Sequence, residues 1–329
     1  MILAIETSCD DTCAAVVEPS GRRALSNVVH TQTEHERYGG VVPEVASRAH
    51  LERLDGVVER ALTEASVTLD DVTRVAVTTR PGLIGALLVG VAGAKGIAYS
   101  RRLPLVPVDH LEGHVAAAYL TEPHLEPPFV ALIASGGHTA LYSVRPDGRM
   151  RLLGETLDDA AGEALDKGAR MLGLGFPGGP AISKAAADGD PTRYEFPVGL
   201  KERDNLDFSF SGLKTSLLYR LKALDEERVR AEIPHLAAGY EAAVVEALVR
   251  KLLRAADIHE TLAVVVAGGV AANARLRRRL EMECGSRGLK LIIPPSALCT
   301  DNAAMIGAAA ARSSAVTYPD YLSLNARSV

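Results

Sequence analysis

Short apolar runs separated by small polar turns frame this chain. Met1–Ile5 and Cys13–Val17 read as strands around the polar turn Thr7–Thr12. The same arrangement returns at Phe129–Ala134, Ser135–Thr139 and Ala140–Val144, which points to an internal duplication. Leu262–Ala267 reads as a buried strand, Gly268-Gly269 as a tight turn and Val270–Glu283 as a helix. Pro43–Glu64 has the spacing of an amphipathic helix, with Val45, Leu51, Leu54, Val58 and Leu62 on its apolar stripe. Leu83–Ala94 is apolar but shorter than a membrane span, and Lys95 closes it. With Gly85, Gly90 and Gly93 it predicts a buried helix packed closely against a neighbour. Asp158–Leu172 predicts a helix with Asp159, Glu163, Asp166 and Arg170 on one side and Leu165, Gly168 and Leu172 on the other. Phe176-Pro-Gly-Gly-Pro-Ala-Ile reads as a rigid turn, and Arg193–Asn205 as a charged, irregular, mobile segment. Pro127-Pro128 marks a boundary between two lobes, 1–128 with about 300–329, and 129–299.

Composition narrows the picture. The chain has 329 residues, enough for two cores, and with 4% aromatics and no Trp those cores must be packed mainly with Ala, Val, Leu and Ile. A net charge of −5 supplies no global basic field for nucleic acid. Arg275, Arg277, Arg278 and Arg279 form the densest basic cluster, which reads equally well as a solvated helix face. Cys9, Cys13, Cys284 and Cys299 make no CxxC pair and no disulfide framework, which suggests a reducing, cytoplasmic setting. Glu6, Asp10 and Asp11 interrupt the apolar N-terminus before a signal-peptide core can form, and no membrane association is expected.

The densest chemistry lies in Pro107-Val-Asp-His-Leu-Glu-Gly-His-Val. The i, i+4 spacing puts His110 and His114 on one helix face, and Asp109 can cap that helix. Two imidazoles at this spacing form half of a divalent-metal site, or are a pair of ordinary histidines. A zinc protease needs Glu directly after the first His; Leu111 stands there, and Glu112 is rotated about 100° further round. The two hairpin turns present backbone N–H groups to an anion, and the Gly268-Gly269 junction lets a nucleotide approach, with Asn273 near its base or ribose.

Both hairpins and the Gly-Gly strand resemble the phosphate and adenosine elements of the actin-like ATPase superfamily, which includes sugar kinases and heat-shock ATPases. That resemblance implies an α/β fold of two duplicated lobes with a nucleotide cleft between them. More specifically, Ile5-Glu-Thr-Ser-Cys-Asp-Asp, His110-Leu-Glu-Gly-His, Ser135-Gly-Gly-His-Thr, Asp159–Lys167, Phe176-Pro-Gly-Gly-Pro, Phe208-Ser-Phe-Ser-Gly-Leu-Lys-Thr, Ala267-Gly-Gly-Val-Ala-Ala-Asn and Cys299-Thr-Asp-Asn resemble the TsaD family in the expected order. These are tRNA adenosine threonylcarbamoyltransferases, once labelled sialoglycoprotein endopeptidases, and the Ser-Phe-Ser-Gly-Leu-Lys-Thr block looks bacterial.

The resemblance implies a donor, threonylcarbamoyl-AMP, and an acceptor, N6 of the adenosine 3′ of the anticodon in tRNAs reading codons that begin with A. It implies His110, His114 and Asp301 as ligands of one divalent metal, Fe(II) ahead of Zn(II). It places Ile133, Ala134, Ser135, Gly136 and Gly137 at the phosphate side of the nucleotide, Asp166 and Gly179 at ribose and adenine, and Asn273 at the base, with ATP as a further nucleotide. Many relatives carry Asp where Ser183 stands, and archaeal relatives place a Tyr ligand where this chain has Ile133. A general base would help a delocalised amine attack, and Asp10 or Asp11 is the candidate, with turn capping as the other reading. Implied partners are tRNA, a TsaB-like paralogue, which in relatives pairs with helices of the N-terminal lobe, and a small TsaE-like ATPase. Rival readings are a regulatory actin-like ATPase and a carbohydrate kinase, neither of which predicts the paired histidines.

Overall fold

The computed structural model describes every residue except Gly39, Arg203, Asp204 and Val329. Two of these, Arg203 and Asp204, belong to the stretch expected to be irregular; its other residues form no helix or strand. The chain forms two compact units, Met1–Leu125 with Thr300–Val329, and Glu126–Cys299.

In the first unit a hairpin of β1 (Ile2–Glu6) and β2 (Asp11–Val17) extends to β3 (Ala24–Thr31). Helix α1 (Pro43–Glu64) follows, then β4 (Arg74–Arg80), α2 (Ile84–Arg101), β5 (Leu105–Asp109) and α3 (His110–Thr121). The sheet order is β3-β2-β1-β4-β5, antiparallel across the hairpin and parallel from β1 through β5. β1 is buried along its whole length, as a continuous apolar run in a covered sheet requires.

The second unit repeats the pattern. β6 (Phe129–Ala134), β7 (Thr139–Val144) and β8 (Met150–Glu155) form the antiparallel half. Helices α4 (Ala161–Met171), α5 (Gly178–Ala185), α6 (Ser211–Lys222) and α7 (Glu226–Ile258) precede β9 (Ala263–Ala267), which joins β6 in parallel. Then come α8 (Ala274–Arg287), β10 (Lys290–Ile292) and α9 (Ser296–Cys299), and the order β10-β9-β6-β7-β8 mirrors the first sheet. The duplication expected from the two hairpins is therefore a duplication of whole five-stranded sheets. Helix α10 (Ala303–Ala310) returns the chain to the first unit.

The glycines of α2 act as expected: a Cβ at Gly85 would meet Ser47, one at Gly90 would meet Thr7, and one at Gly93 would meet Leu54. Lys95 does not end this helix, which runs on to Arg101 while the ammonium donates to the carbonyls of Leu322 and Leu324. Helix α1 buries Ala46, His50, Leu54, Val57, Val58 and Ala61, so the stripe is rotated from the one expected and Leu51 is 73% exposed. Among the described residues no helix is long and apolar enough to cross a membrane.

Two junctions differ from expectation. The helix expected from Val270 begins only at Ala274, after a 3-10 turn over Gly269–Ala272, because the Asn273 side chain accepts from Leu276 N and caps it. The Pro-Gly-Gly-Pro stretch is the first turn of α5 rather than a free turn. Asp166 Oδ1 accepts from Gly178 N there at 2.7 Å, and Pro180 sits in the first turn, where its missing N–H costs nothing.

Candidate active site

Helix α3 begins directly after β5, and Asp109 caps it by accepting from Leu111 N at 2.9 Å. His110 and His114 stand one turn apart, both buried, with their rings edge to face at 4.6 Å between centroids. Asp301 reaches them because α10 packs against α3 where Gly113 has no side chain; a Cβ there would lie 2.7 Å from Ile306 Cδ1. Its Oδ1 is 3.4 Å from His110 Nε2 and 3.3 Å from His114 Nε2. Asp301 does not sit at the end of the preceding strand, as its place in the sequence suggests. Helix α9 intervenes, and Asp301 belongs to the first unit while β10 belongs to the second.

This set fits a divalent cation. One donor atom from each residue lies within 4.8 Å of the others. Ligand atoms bound at about 2.0–2.1 Å in a tetrahedral arrangement sit roughly 3.3–3.4 Å apart, which matches the two His–Asp separations. His114 Nε2 is buried and, among the described residues, makes no well-formed hydrogen bond although Asp301 Oδ1 lies 3.3 Å away, which suits a nitrogen that a cation would occupy. Glu112, one position past where a protease would need its Glu, lines a cavity of about 440 Å³ with Thr79, Arg80 and Asp109.

One site residue was not singled out from the sequence. Glu6, at the end of β1 and fully buried, accepts from Thr78 Oγ1 at 2.6 Å and faces His110 Nδ1 at 2.9 Å. Its signals were a carboxylate closing an apolar strand and its place in the Ile5-Glu-Thr-Ser-Cys-Asp-Asp motif, neither of which gave it a role. Burial pushes the His110 ring down, but Asp301 and Glu6 outweigh it and raise the ring well above the usual histidine range. Burial likewise opposes ionisation of Asp301 and Glu6, yet His110 holds both below the ordinary carboxylate range. Burial drives His114 down. These directions favour positive charge on His110 between Glu6 and Asp301, a place that a metal cation would take over from the proton on His110 Nε2.

Asp11 opens β2 with Oδ1 buried and unpartnered. Burial foremost pushes it up to about 7; a hydrogen bond from Thr31 opposes, and Asp301, Asp10 and Glu6 reinforce. A carboxylate poised near neutrality suits a general base. Asp10 contributes its carbonyl, which accepts from Gln32 N at 3.2 Å.

In the second unit Ile133 and Ala134 are fully buried at the end of β6, so their side chains are core and only backbone is left for a ligand. Ser135 closes the following turn, its N donating to His138 O at 2.8 Å and its Oγ accepting from His138 N at 3.1 Å. Gly136 and Gly137 are exposed, and a Cβ on either would meet open space. Gly162 presses against the same turn from α4, donating to Ser135 O at 3.0 Å. Gly268 sits at φ +90 with its α-carbon facing Ala134 O, a conformation that selects glycine.

Asp166 holds α5 by its Gly178 bond, and burial raises its carboxyl. Gly179, next to it, has an open face. Asn273 is more committed than expected. Besides capping α8, its Nδ2 donates to Glu241 Oε1 at 2.7 Å and Ser183 Oγ at 3.0 Å, so its amide is saturated inside the protein. Buried Glu241, which also accepts from Ser183 Oγ at 2.6 Å, had no sequence signal beyond its place in a helix.

The arginine cluster does not form a continuous basic patch. Arg277 turns inward to the carbonyls of Ala271 and Pro294, and Arg279 pairs with Glu283 at 3.1 Å. Arg275 lies 3.9 Å from Glu241, while Arg278 is exposed.

Two solved structures share this architecture. Component A of the Acidaminococcus fermentans (R)-2-hydroxyglutaryl-CoA dehydratase superposes with a TM-score of 0.56 at 16% identity, covering 95% of this chain and 96% of that one. Full-length HypF, in its phosphate- and nucleotide-bound form, gives a TM-score of 0.58 at 14% identity over 95% of this chain and 54% of its own. Twin five-stranded sheets of this order define an α/β protein with a duplicated, actin-like fold. Within that class a family model, TsaD: tRNA N6-adenosine threonylcarbamoyltransferase, matches residues 23–308. Relatives of that name are 52% identical in Syntrophus aciditrophicus, over 93% of this chain and 90% of the relative, and 49% identical in Clostridium perfringens, over 94% and 91%. The chain belongs to this family of tRNA-modifying transferases.

Proposed function

We propose that the chain transfers the threonylcarbamoyl group from threonylcarbamoyl-AMP to N6 of the adenosine 3′ of the anticodon in tRNAs reading codons that begin with A. Family membership supports the reaction, and the convergence of His110, His114 and Asp301, with both histidines buried, carries the site. A divalent metal, Fe(II) ahead of Zn(II), would supply Lewis-acid polarisation of the donor. His110, His114 and Asp301 would hold it. The adenylate half of the donor, or ATP, would lie against the bare backbone of Ser135, Gly136 and Gly137 and against Asp166 and Gly179. In the transfer, N6 forms a bond to the carbamoyl carbon, the bond from that carbon to the phosphate oxygen breaks, and AMP departs. Asp11 would take the N6 proton.

The test supplies pre-formed threonylcarbamoyl-adenylate, unmodified tRNA and partner proteins, and follows modified nucleoside by mass spectrometry. A chain that transfers nothing there, yet phosphorylates a sugar, would overturn the reading.

Asp11 sets the pH dependence. Its raised carboxyl must be ionised to act, so transfer should rise with pH along a limb at or below about 7 and then level off. Asp11→Asn should lower the rate by roughly 10²–10⁴-fold and erase that limb. An unchanged pH–rate profile in the variant would remove Asp11 from the mechanism.

A TsaB-like paralogue and a TsaE-like ATPase are the proposed partners, acting with the chain in the cytoplasm. Helices α1 and α2 expose Leu51, Ile84 and Leu88 and offer the paralogue an apolar surface. Leu51→Asp should weaken co-purification with the paralogue without changing the melting temperature; full retention of the complex would place the partner elsewhere.

A further inference from the structure

Glu6 is the least explained group near the triad: a fully buried carboxylate at the end of β1 that faces His110 but is not among the three candidate ligands. Its Oε2 faces His110 Nδ1 at 2.9 Å, and Ser8 Oγ lies 3.1 Å from the same nitrogen. On the other side of the ring, Nε2 is the nitrogen that faces Asp301. Glu6 is itself fixed, by Thr78 Oγ1 at 2.6 Å and by the backbone N–H of Ser8.

We infer that Glu6 is a positioning residue for the metal: it holds the Nδ1 proton of His110, leaves Nε2 bare toward Asp301, and locks the ring plane. This rests on the reading of His110, His114 and Asp301 as ligands. Without the carboxylate, a neutral His110 could place its proton on either nitrogen, and the tautomer protonated at Nε2 cannot ligate there. A carboxylate behind a ligating imidazole also makes the ring a stronger donor, and losing such a partner typically lowers metal affinity about 10–100-fold. His114 has no equivalent support, since its Nδ1 is buried without a partner, so the ordering of the pair falls on the Glu6 side.

Two measurements test this, with Zn(II) as the probe. Competition titration of the whole chain should show Glu6→Gln binding Zn(II) about 10-fold or more weakly than wild type, while Thr78→Val, which removes only a neighbour of Glu6, loses much less. In the metal-free wild-type protein, at alkaline pH where the ring is neutral, ¹⁵N shifts should place the His110 proton on Nδ1. Equal Zn(II) affinity in a folded Glu6→Gln variant overturns the inference and leaves the ligand assignment standing. A proton found on Nε2 overturns it without any variant. Failure of wild type to bind Zn(II) or Fe(II) would instead bring down the ligand assignment, and the inference with it.

Discussion

Asp301→Ala is expected to lose the proposed divalent metal and, with it, threonylcarbamoyl transfer by on the order of 10²–10³-fold or more, the usual scale for removing an electrostatic contribution to a transition state. Asp301 supplies the one carboxylate of the triad and sits 3.4 and 3.3 Å from Nε2 of His110 and of His114. Two imidazoles without the carboxylate lack the anionic oxygen donor that completes the set and offsets the cation's charge. His114→Ala should match it, because the ring it removes has no other partner to satisfy. The fold should survive both changes. Elemental analysis of the purified variants, with circular dichroism and the transfer assay alongside, checks all of this. Full metal occupancy in both variants would remove the metal assignment.

The second large effect separates glycines that face open space from those that face protein. Gly137→Val with Gly179→Val should leave the fold intact and weaken AMP binding at least about 10-fold, or 1.4 kcal/mol, since neither position crowds its neighbours. Gly162→Val should instead destabilise by roughly 1–3 kcal/mol or more, because its Cβ would lie 2.6 Å from Ser135 O and 2.8 Å from Gly136 Cα. Gly178→Val should do the same through its clash with Asp166. Calorimetry with AMP and thermal melts distinguish the two classes. Unchanged AMP affinity in a well-folded Gly137→Val, Gly179→Val protein would show that the nucleotide lies elsewhere.

Local patterning made much of this chain legible. β6 matches its apolar run end to end, α1 runs from Pro43 to Glu64 as its spacing predicts, and Asp109 caps α3. Each follows from interactions within one turn or one strand. Legibility failed where a side chain from another element intervened. The turn expected at Pro177–Pro180 became helical because Asp166, a dozen residues earlier, caps Gly178. Asn273, expected to be free for a base, is held by Ser183 and Glu241. Leu51 belongs to the apolar stripe by its spacing yet is exposed, because spacing gives the width of a stripe and not the angle at which a neighbour meets it.

By itself the sequence determined the duplicated strand pattern, the helix that carries His110 and His114 on one face, and the family motifs that tie the chain to tRNA modification. These depend on residue types at short spacings, which backbone geometry turns directly into faces and turns. Only the tertiary structure decided that Asp301 meets His110 and His114 across 187 residues of chain from His114, that Glu6 stands behind His110, and that burial pushes the Asp11 carboxyl up. Those are matters of distance and desolvation between elements far apart in the chain. They arise from the close approach of α10 to α3 at Gly113 and from the covering of β1, and no local spacing contains them.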